Sequence, residues 1–219
     1  GSVLGHGNGR QPRLLLVPVP SIEPRGPDAE TVGAVRRVMV SSTDEQGVDT
    51  AWAARALGGM DLVDEHTGEV LAVLAATTGD DRVLRRYLMA SCAWTTVTPL
   101  VLPGHDDPGG LRERLRNARS AAEQKALLDR LLRRREALVR KALQQAGLGD
   151  ELALSATIET REAGFIAGVE QASRYAVPRH IAQSPRLHVK LTWPVKVGGP
   201  LVIGRGRFSG LGLCVAVAG

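Results

Sequence analysis

Residues 186–193, RLHVKLTW, alternate in two-residue steps: Leu187, Val189, Leu191 and Trp193 share one face, and His188, Lys190 and Thr192 share the other. That period predicts a half-buried strand. Strand character also runs through RLLLVPVPSI (13–22), where Pro18 and Pro20 point to a sheet edge or a strand end. It recurs in AVRRVMVSS (34–42), EVLAVLAA (69–76) and WTTVTPLVLPG (94–104). Further on, LALSATIET (152–160), SRYAVPRH (173–180), PLVIG (200–204) and GLCVAV (212–217) read the same way. Helical spacing interrupts this pattern. VDTAWAARALGGM (48–60) predicts a short helix stopped by Gly58-Gly59, and DDRVLRRYLMASC (80–92) opens at helical intervals. From Leu111 to Ala146 no Gly or Pro intervenes, which predicts a long helical block. Leu128, Leu131, Leu132, Leu138, Ala142 and Ala146 trace its apolar stripe, and Arg130, Arg134 and Lys141 fall on another face. Strands and short helices therefore lie in two halves around that block. The expected architecture is α+β, antiparallel sheets with helices on one face, divided into 1–104, a helical segment 105–150, and 151–219.

Composition sharpens the picture of the partner. The chain has 219 residues, 28 Lys+Arg against 23 Asp+Glu, and a net charge of +5. A basic balance suits a polyanion such as RNA. Aromatic residues make up only 3% of the chain, too few for a base-stacking platform of the OB type. An arginine-bearing helix face is either a solvated surface or a strip laid along an RNA groove. Cys92 and Cys214 sit in apolar stretches without CxxC spacing, as free thiols in a reducing cytoplasm would. No apolar run reaches the length of a membrane span and no signal peptide is visible. The opening Gly-Ser reads as a cloning scar, and the lack of an initiator methionine suggests a piece cut from a longer chain.

Several chemistries are excluded by their missing motifs. His6, His66, His105, His180 and His188 show none of the paired spacings of a zinc site, so no metal and no other cofactor is expected. The carboxylate-rich GHDD (104–107) reads as a turn before a helix, with Asp106 or Asp107 capping it. There is no P-loop, dinucleotide fingerprint or G-x-S-x-G elbow. What remains is proton transfer beside a bound phosphate. A ribose 2′-hydroxyl attacks the adjacent phosphorus when a base removes its proton, an acid protonates the leaving 5′-oxygen, and a cation steadies the phosphorane. His6 in a Gly-rich segment, His180 after Arg179, and His188 sharing a face with Lys190 are the candidates.

The tail GPLVIGRGRFSGLGLCVAVAG holds glycines at 199, 204, 206, 210 and 212, with Arg205 and Arg207 among them. Two readings stand: a turn or bulge joining the last strands, or a loop whose bare backbone approaches phosphate. This segment resembles the C-terminal glycine-rich loop of the CRISPR-associated RAMP proteins. GHGNGRQPRLLLVPVPSI, WTTVTPLVLPGHDD and SRYAVPRHIAQSPRLHVKLTWPVKVGGPL are similar to segments of the subtype I-G (earlier I-U) members, in which the fifth and sixth Cas families are fused. The resemblance falls on the repeat-processing, sixth-family part.

The resemblance implies two ferredoxin-like (RRM-like) domains and metal-independent cleavage of CRISPR precursor RNA within its repeats. It also implies a fifth-family domain, fused or associated, and other interference-complex subunits as partners. His6 takes the place of a histidine kept before the first strand, and His180, Lys190 and Tyr175 complete the expected catalytic set. Arg205, Arg207, Gly204, Gly206 and Gly210 match the phosphate-contacting tail. Arg179, His188, Arg130, Arg134 and Lys141 are the further expected RNA contacts. Two departures favour the alternative, a non-catalytic crRNA-binding subunit. A second histidine is missing from QPRLLL, and Ser209 stands where relatives carry an aromatic or His-aromatic pair.

Overall fold

A computed structural model describes residues 14–26, 29–42, 50–77 and 81–217. Its order opens with a long hairpin of β1 (Leu14–Pro24) and β2 (Glu30–Ser42), antiparallel from Leu14 opposite Ser42. The register slips around Val19, Pro20 and Ile22, where Pro20 has no N–H to donate. Leu15, Val17 and Val19 are buried in alternation, as the sequence period requires. Next come α1 (Thr50–Leu57), a short hairpin of β3 (Asp61–Val63) and β4 (Val70–Val73), and α2 (Arg82–Leu88). Asp81 caps α2 by accepting from the Val83 and Leu84 amides, and its other oxygen receives Arg37 Nε at 2.6 Å from β2. Arg86 clamps Glu30 with both terminal nitrogens and also reaches the Ala216 carbonyl.

The principal sheet is five-stranded and antiparallel throughout. It comprises β5 (Ser91–Thr96), β6 (Leu100–Val101), β7 (Thr157–Arg161), β8 (Arg186–Val197) and β9 (Cys214–Ala216). β8 is its spine. Residues 190–192 pair with β5 on one side and β7 on the other, β6 pairs with the start of β8, and β9 lines β5. Strands from before residue 104 and after residue 150 therefore share one sheet, which crosses both expected boundaries.

Three helices follow β6: α3 (Leu111–Arg116), α4 (Ala121–Gln145) and α5 (Asp150–Ser155). The long helical block is thus broken at 117–120 without a Gly or Pro. Ser120 accepts from the Glu123 amide while Glu123 accepts from the Arg119 amide, a reciprocal cap that starts a new helix. The apolar stripe also differs from expectation. Leu127, Leu131, Leu138, Val139, Ala142 and Leu143 are buried, whereas Leu128 and Leu132 are exposed. Residues 150–155 are helical rather than extended, because Asp150 and Glu151 suit the first turn of a helix. Residues 173–180 form no strand. Two 3-10 turns, Ala172–Arg174 and Arg179–Ile181, are pinned by buried Ala172 and Ile181.

α4 and α5 pack on one sheet face, where Leu187, Val189, Leu191 and Trp193 meet Leu138, Val139, Ala142, Leu143 and Ala153. The opposite face carries the irregular segment 170–185: the Tyr175 ring stands edge-on to His188, and Ile181 packs on Val101 and Leu211.

Candidate nucleic-acid interface

On that second face the glycine-rich tail becomes a loop. Residues 201–203 run against 212–214 through Ile203 N–H to Gly212 O and Cys214 N–H to Leu201 O, and the loop 204–211 joins them. Gly204 has φ +91°, and a Cβ there would stand 2.6 Å from the Val101 carbonyl. Gly210 has φ +74° and abuts the Pro18 ring, where a Cβ would lie 2.8 Å from Cδ. The glycines answer to turn geometry and close packing on β6 and β1. The amides of Arg205, Arg207, Ser209 and Leu211 all donate to carbonyls within the protein. Those four donors are therefore committed to the loop's own shape.

The side chains are placed accordingly. Arg205 is exposed, and its Nη1 donates to Ser184 Oγ at 3.1 Å, joining the loop to the segment after the second 3-10 turn. Arg207 is half-buried, donates from Nη1 to Gly204 O, and lies 4.8 Å from the Phe208 ring centroid. Arg179 and His180 are exposed on the 3-10 turn that Ile181 anchors beside Leu211. Arg186 fixes the segment from below by donating to the Tyr175 carbonyl at 2.7 Å. The fold thus packs the turn that carries Arg179 and His180 against the loop that carries Arg205 and Arg207.

Three expected site residues are placed differently. His188 is fully buried: Nε2 lies 3.0 Å from the Glu170 carbonyl and Nδ1 3.1 Å from Thr96 Oγ1. A carbonyl only accepts, so Nε2 carries the proton and Nδ1 accepts from the threonine. Desolvation, followed by the charge of Arg161, holds its pKa below the ordinary value, while its hydrogen bonds oppose that shift. The ring is a satisfied core group rather than the expected RNA contact, because the segment 170–185 covers it. Tyr175 is half-buried, its hydroxyl donates to Val97 O at 3.2 Å, and burial raises its pKa, so it keeps its proton at neutral pH. Lys190 is half-buried in mid-strand, opposite Thr95 on β5 and Glu159 on β7. His6 lies outside the described residues.

Arg130, Arg134 and Lys141 are exposed on α4, which covers the other sheet face, so the fold separates them from the loop arginines. Arg134 Nε donates to the His105 carbonyl. Beside it lies a cluster that sequence reasoning missed. Asp106, 1% exposed, receives Arg112 at 2.6 Å and Arg135 at 2.9 Å on the same oxygen, Oδ2. Its signal was GHDD ahead of an arginine-rich helix; of the two aspartates expected to cap that helix, Asp107 accepts from the Arg112 amide in the first turn of α3, while the N-cap position itself is Gly110. Among the described residues no group of three or more His, Cys, Asp or Glu could hold a metal ion, and no helix is long and apolar enough to cross a membrane.

A family model described as CRISPR-associated protein, GSU0054 family, matches residues 1–216. The chain belongs to that family. No curated protein and no solved structure matches this member of the GSU0054 family. Family membership associates the chain with a CRISPR system.

Proposed function

We propose that this GSU0054-family chain is a metal-independent endoribonuclease of the RAMP superfamily, subtype I-G, that cleaves CRISPR precursor RNA within its repeats. The observation that carries the reading is the gathering of Arg179, His180, Arg205 and Arg207 where the 3-10 turn packs on the glycine-rich loop. Guanidinium groups there hold the backbone on either side of the scissile phosphate and offset the charge of the phosphorane. Histidine supplies the proton chemistry: His6 and His180 share the roles of base toward the 2′-hydroxyl and acid toward the leaving 5′-oxygen. The P–O5′ bond breaks as the P–O2′ bond forms, leaving a 2′,3′-cyclic phosphate and a 5′-hydroxyl. The repeat is recognised by stem shape and phosphates more than by base edges. The reaction belongs in the cytoplasm, beside a fifth-family domain and other interference subunits.

A second reading, a non-catalytic crRNA-binding subunit, is favoured by one observation. With His188 buried and the Tyr175 hydroxyl engaged, His180 is the one expected proton carrier among the described residues that stands exposed beside the loop. The test is end-labelled cognate repeat in EDTA, all-ribo and with 2′-deoxy at the scissile position. The nuclease cuts the first, binds the second without cutting it, and loses cleavage in both His6→Ala and His180→Ala. A chain that binds both and cuts neither is the subunit of the second reading.

A further inference from the structure

The loop arginines and the α4 arginines lie toward different sheet faces, yet both groups attach to β6 and the turn that ends it. Among the described strands β6 pairs only with β8. Its side chains alternate between the faces: Leu100 and Leu102 join the cluster of Leu138 and Leu143 from α4, and Val101 packs with Ile181 and Leu211. Leu102 donates its N–H to Pro185 O on the β8 side, so the carbonyl of Val101, one residue back, points away from β8. The Arg205 amide donates to that outward carbonyl at 3.0 Å. Arg205 is thus anchored on the outer side of β6, between the two faces.

Beyond Leu102 the chain turns through Gly104, His105 and Asp106, and α4 closes on that turn. Arg134 Nε donates to the His105 carbonyl at 3.1 Å, and its Nη2 stands 3.8 Å from where a Cβ on Gly104 would lie, so the guanidinium lies along the turn. Among the described residues its terminal nitrogens make no hydrogen bond. Arg112 and Arg135 brace the same turn through Asp106 Oδ2. Three guanidinium groups therefore stand against two carboxylates, Asp106 and Asp107. Asp106 is buried while Arg134 is open to solvent, so the surface of the turn is positive. From Val101 to His105 is four residues, at most roughly 14 Å of chain. A stacked nucleic-acid strand covers that span in on the order of four nucleotides.

We propose that one strand of the RNA backbone crosses the sheet at the β6 edge, held by Arg205 on the outer side of β6 and by Arg134 at the turn that follows it. This path rests on the RNA-binding reading above and extends the interface from the loop, around the sheet edge, to α4. Two guanidinium anchors joined by a strand suit a phosphodiester backbone, whose charges repeat at about 3.4 Å along a stacked strand. β6 sets their offset, because Arg205 is bonded to its Val101 and Arg134 to its continuation at His105. Arg112, Arg135 and Asp106 are positioning residues: their shared ion pairs hold the turn against α3 and α4, and with it the Arg134 guanidinium.

The experiment is the salt dependence of binding between the full chain and a single-stranded repeat fragment of about eight nucleotides, with one RNA per chain fixed by titration. Arg205→Gln and Arg134→Gln are each expected to flatten the log–log slope by about 0.7, and the double variant by about 1.4. Additive losses in a one-to-one complex put both arginines on the same strand. Arg134→Lys loses the bond to His105 but keeps the charge, and is expected to hold the parent slope. Lys125→Gln removes the same charge from an exposed position on α4, nine residues earlier and so half a turn round the helix, and is expected to leave the slope unchanged. If Arg205→Gln flattens the slope and Arg134→Gln does not, the path is overturned while the loop reading stands. An Arg134→Lys variant as impaired as Arg134→Gln makes Arg134 a brace of the turn, and an equal loss in Lys125→Gln makes the effect one of net charge; either overturns the path. A parent chain that binds no RNA overturns the path and the loop reading together.

Discussion

His188 is the residue on which a core role and an RNA-contact role make opposite predictions. His188→Leu keeps the volume near that of imidazole and removes both polar contacts. Thr96 Oγ1 retains the Val189 amide at 3.0 Å and can turn its proton to the Val189 carbonyl at 3.4 Å, so it is not left without partners. The Glu170 carbonyl loses its donor in a part-buried bond of an exposed residue, a loss of about 1 kcal/mol, the low end of the range for an unpaired acceptor. Adding the lost edge contact with Tyr175 at 6.1 Å, the expected destabilisation is about 2 kcal/mol. In urea that lowers the midpoint by roughly 1 M for a chain with an m-value near 2 kcal/mol/M. His188→Gln, whose amide can still donate to Glu170, is expected to recover part of the loss. RNA affinity per folded molecule stays at the parent value in both variants.

The pH dependence gives an independent reading of the same ring. Its folded-state pKa is lowered, so the unfolded chain takes up a proton near pH 6.5 that the folded chain refuses. The His188 contribution is complete above about pH 6.5 and declines as the pH falls through that value toward the folded pKa. The stability gap between parent and His188→Leu therefore narrows in mild acid. A His188→Leu protein as stable as the parent that binds repeat RNA tenfold more weakly would refute the core assignment.

Asp106→Asn removes the carboxylate shared by Arg112 and Arg135 and is expected to cost about 2–3 kcal/mol in urea unfolding, less than a fully buried pair because the Arg112 side chain is 46% exposed. Gly204→Ala forces a Cβ toward the Val101 carbonyl at φ +91° and is expected to cost about 2–3 kcal/mol of thermal or urea stability; an unchanged melt would contradict the packed loop. Replacing Arg179, Arg205 and Arg207 together by Gln is expected to flatten the log–log salt dependence of binding to single-stranded repeat by about 2, at roughly 0.7 per phosphate contact. An unchanged slope would remove the loop arginines from the interface.

Elements whose period was unambiguous were legible in the sequence. Alternation placed Leu187, Val189, Leu191 and Trp193 on one buried face, and the same alternation put His188 on the other, where solvent was the natural expectation. What covers that face is the segment 170–185, whose anchors Ala172, Tyr175, Ile181 and Ser184 fall at no regular interval. Reading it as a strand left His188 looking exposed. No Gly or Pro marks the helix break at 117–120; its sequence signal is the Ser120-x-x-Glu123 spacing of a capping box. The pairing of β5 and β6 with β8 joins residues some ninety positions apart, a separation that no local pattern carries. The glycine loop was located correctly between extended segments, but its contacts with Pro18 and Val101 come from strands far away in sequence.

Those contacts bear on how the loop can recognise an anion. Glycine-rich phosphate cradles work through backbone N–H groups left for the ligand. Here the donors of Arg205, Arg207, Ser209 and Leu211 are consumed in holding the loop's shape, and the glycines let it press against β1 and β6. The same shape orients two guanidinium groups, Arg205 by its bond to Ser184 and Arg207 by the Gly204 carbonyl. A loop of this kind is rigid in backbone and adjustable in side chain, which suits an irregular RNA stem better than a single fixed phosphate. The same rigidity carries the 3-10 turn with Arg179 and His180, because Ile181 and Leu211 pack together on Val101. Loop, turn and strand β6 therefore share one packed cluster, and a substitution that displaces Gly204 or Gly210 is expected to disturb His180 without touching it.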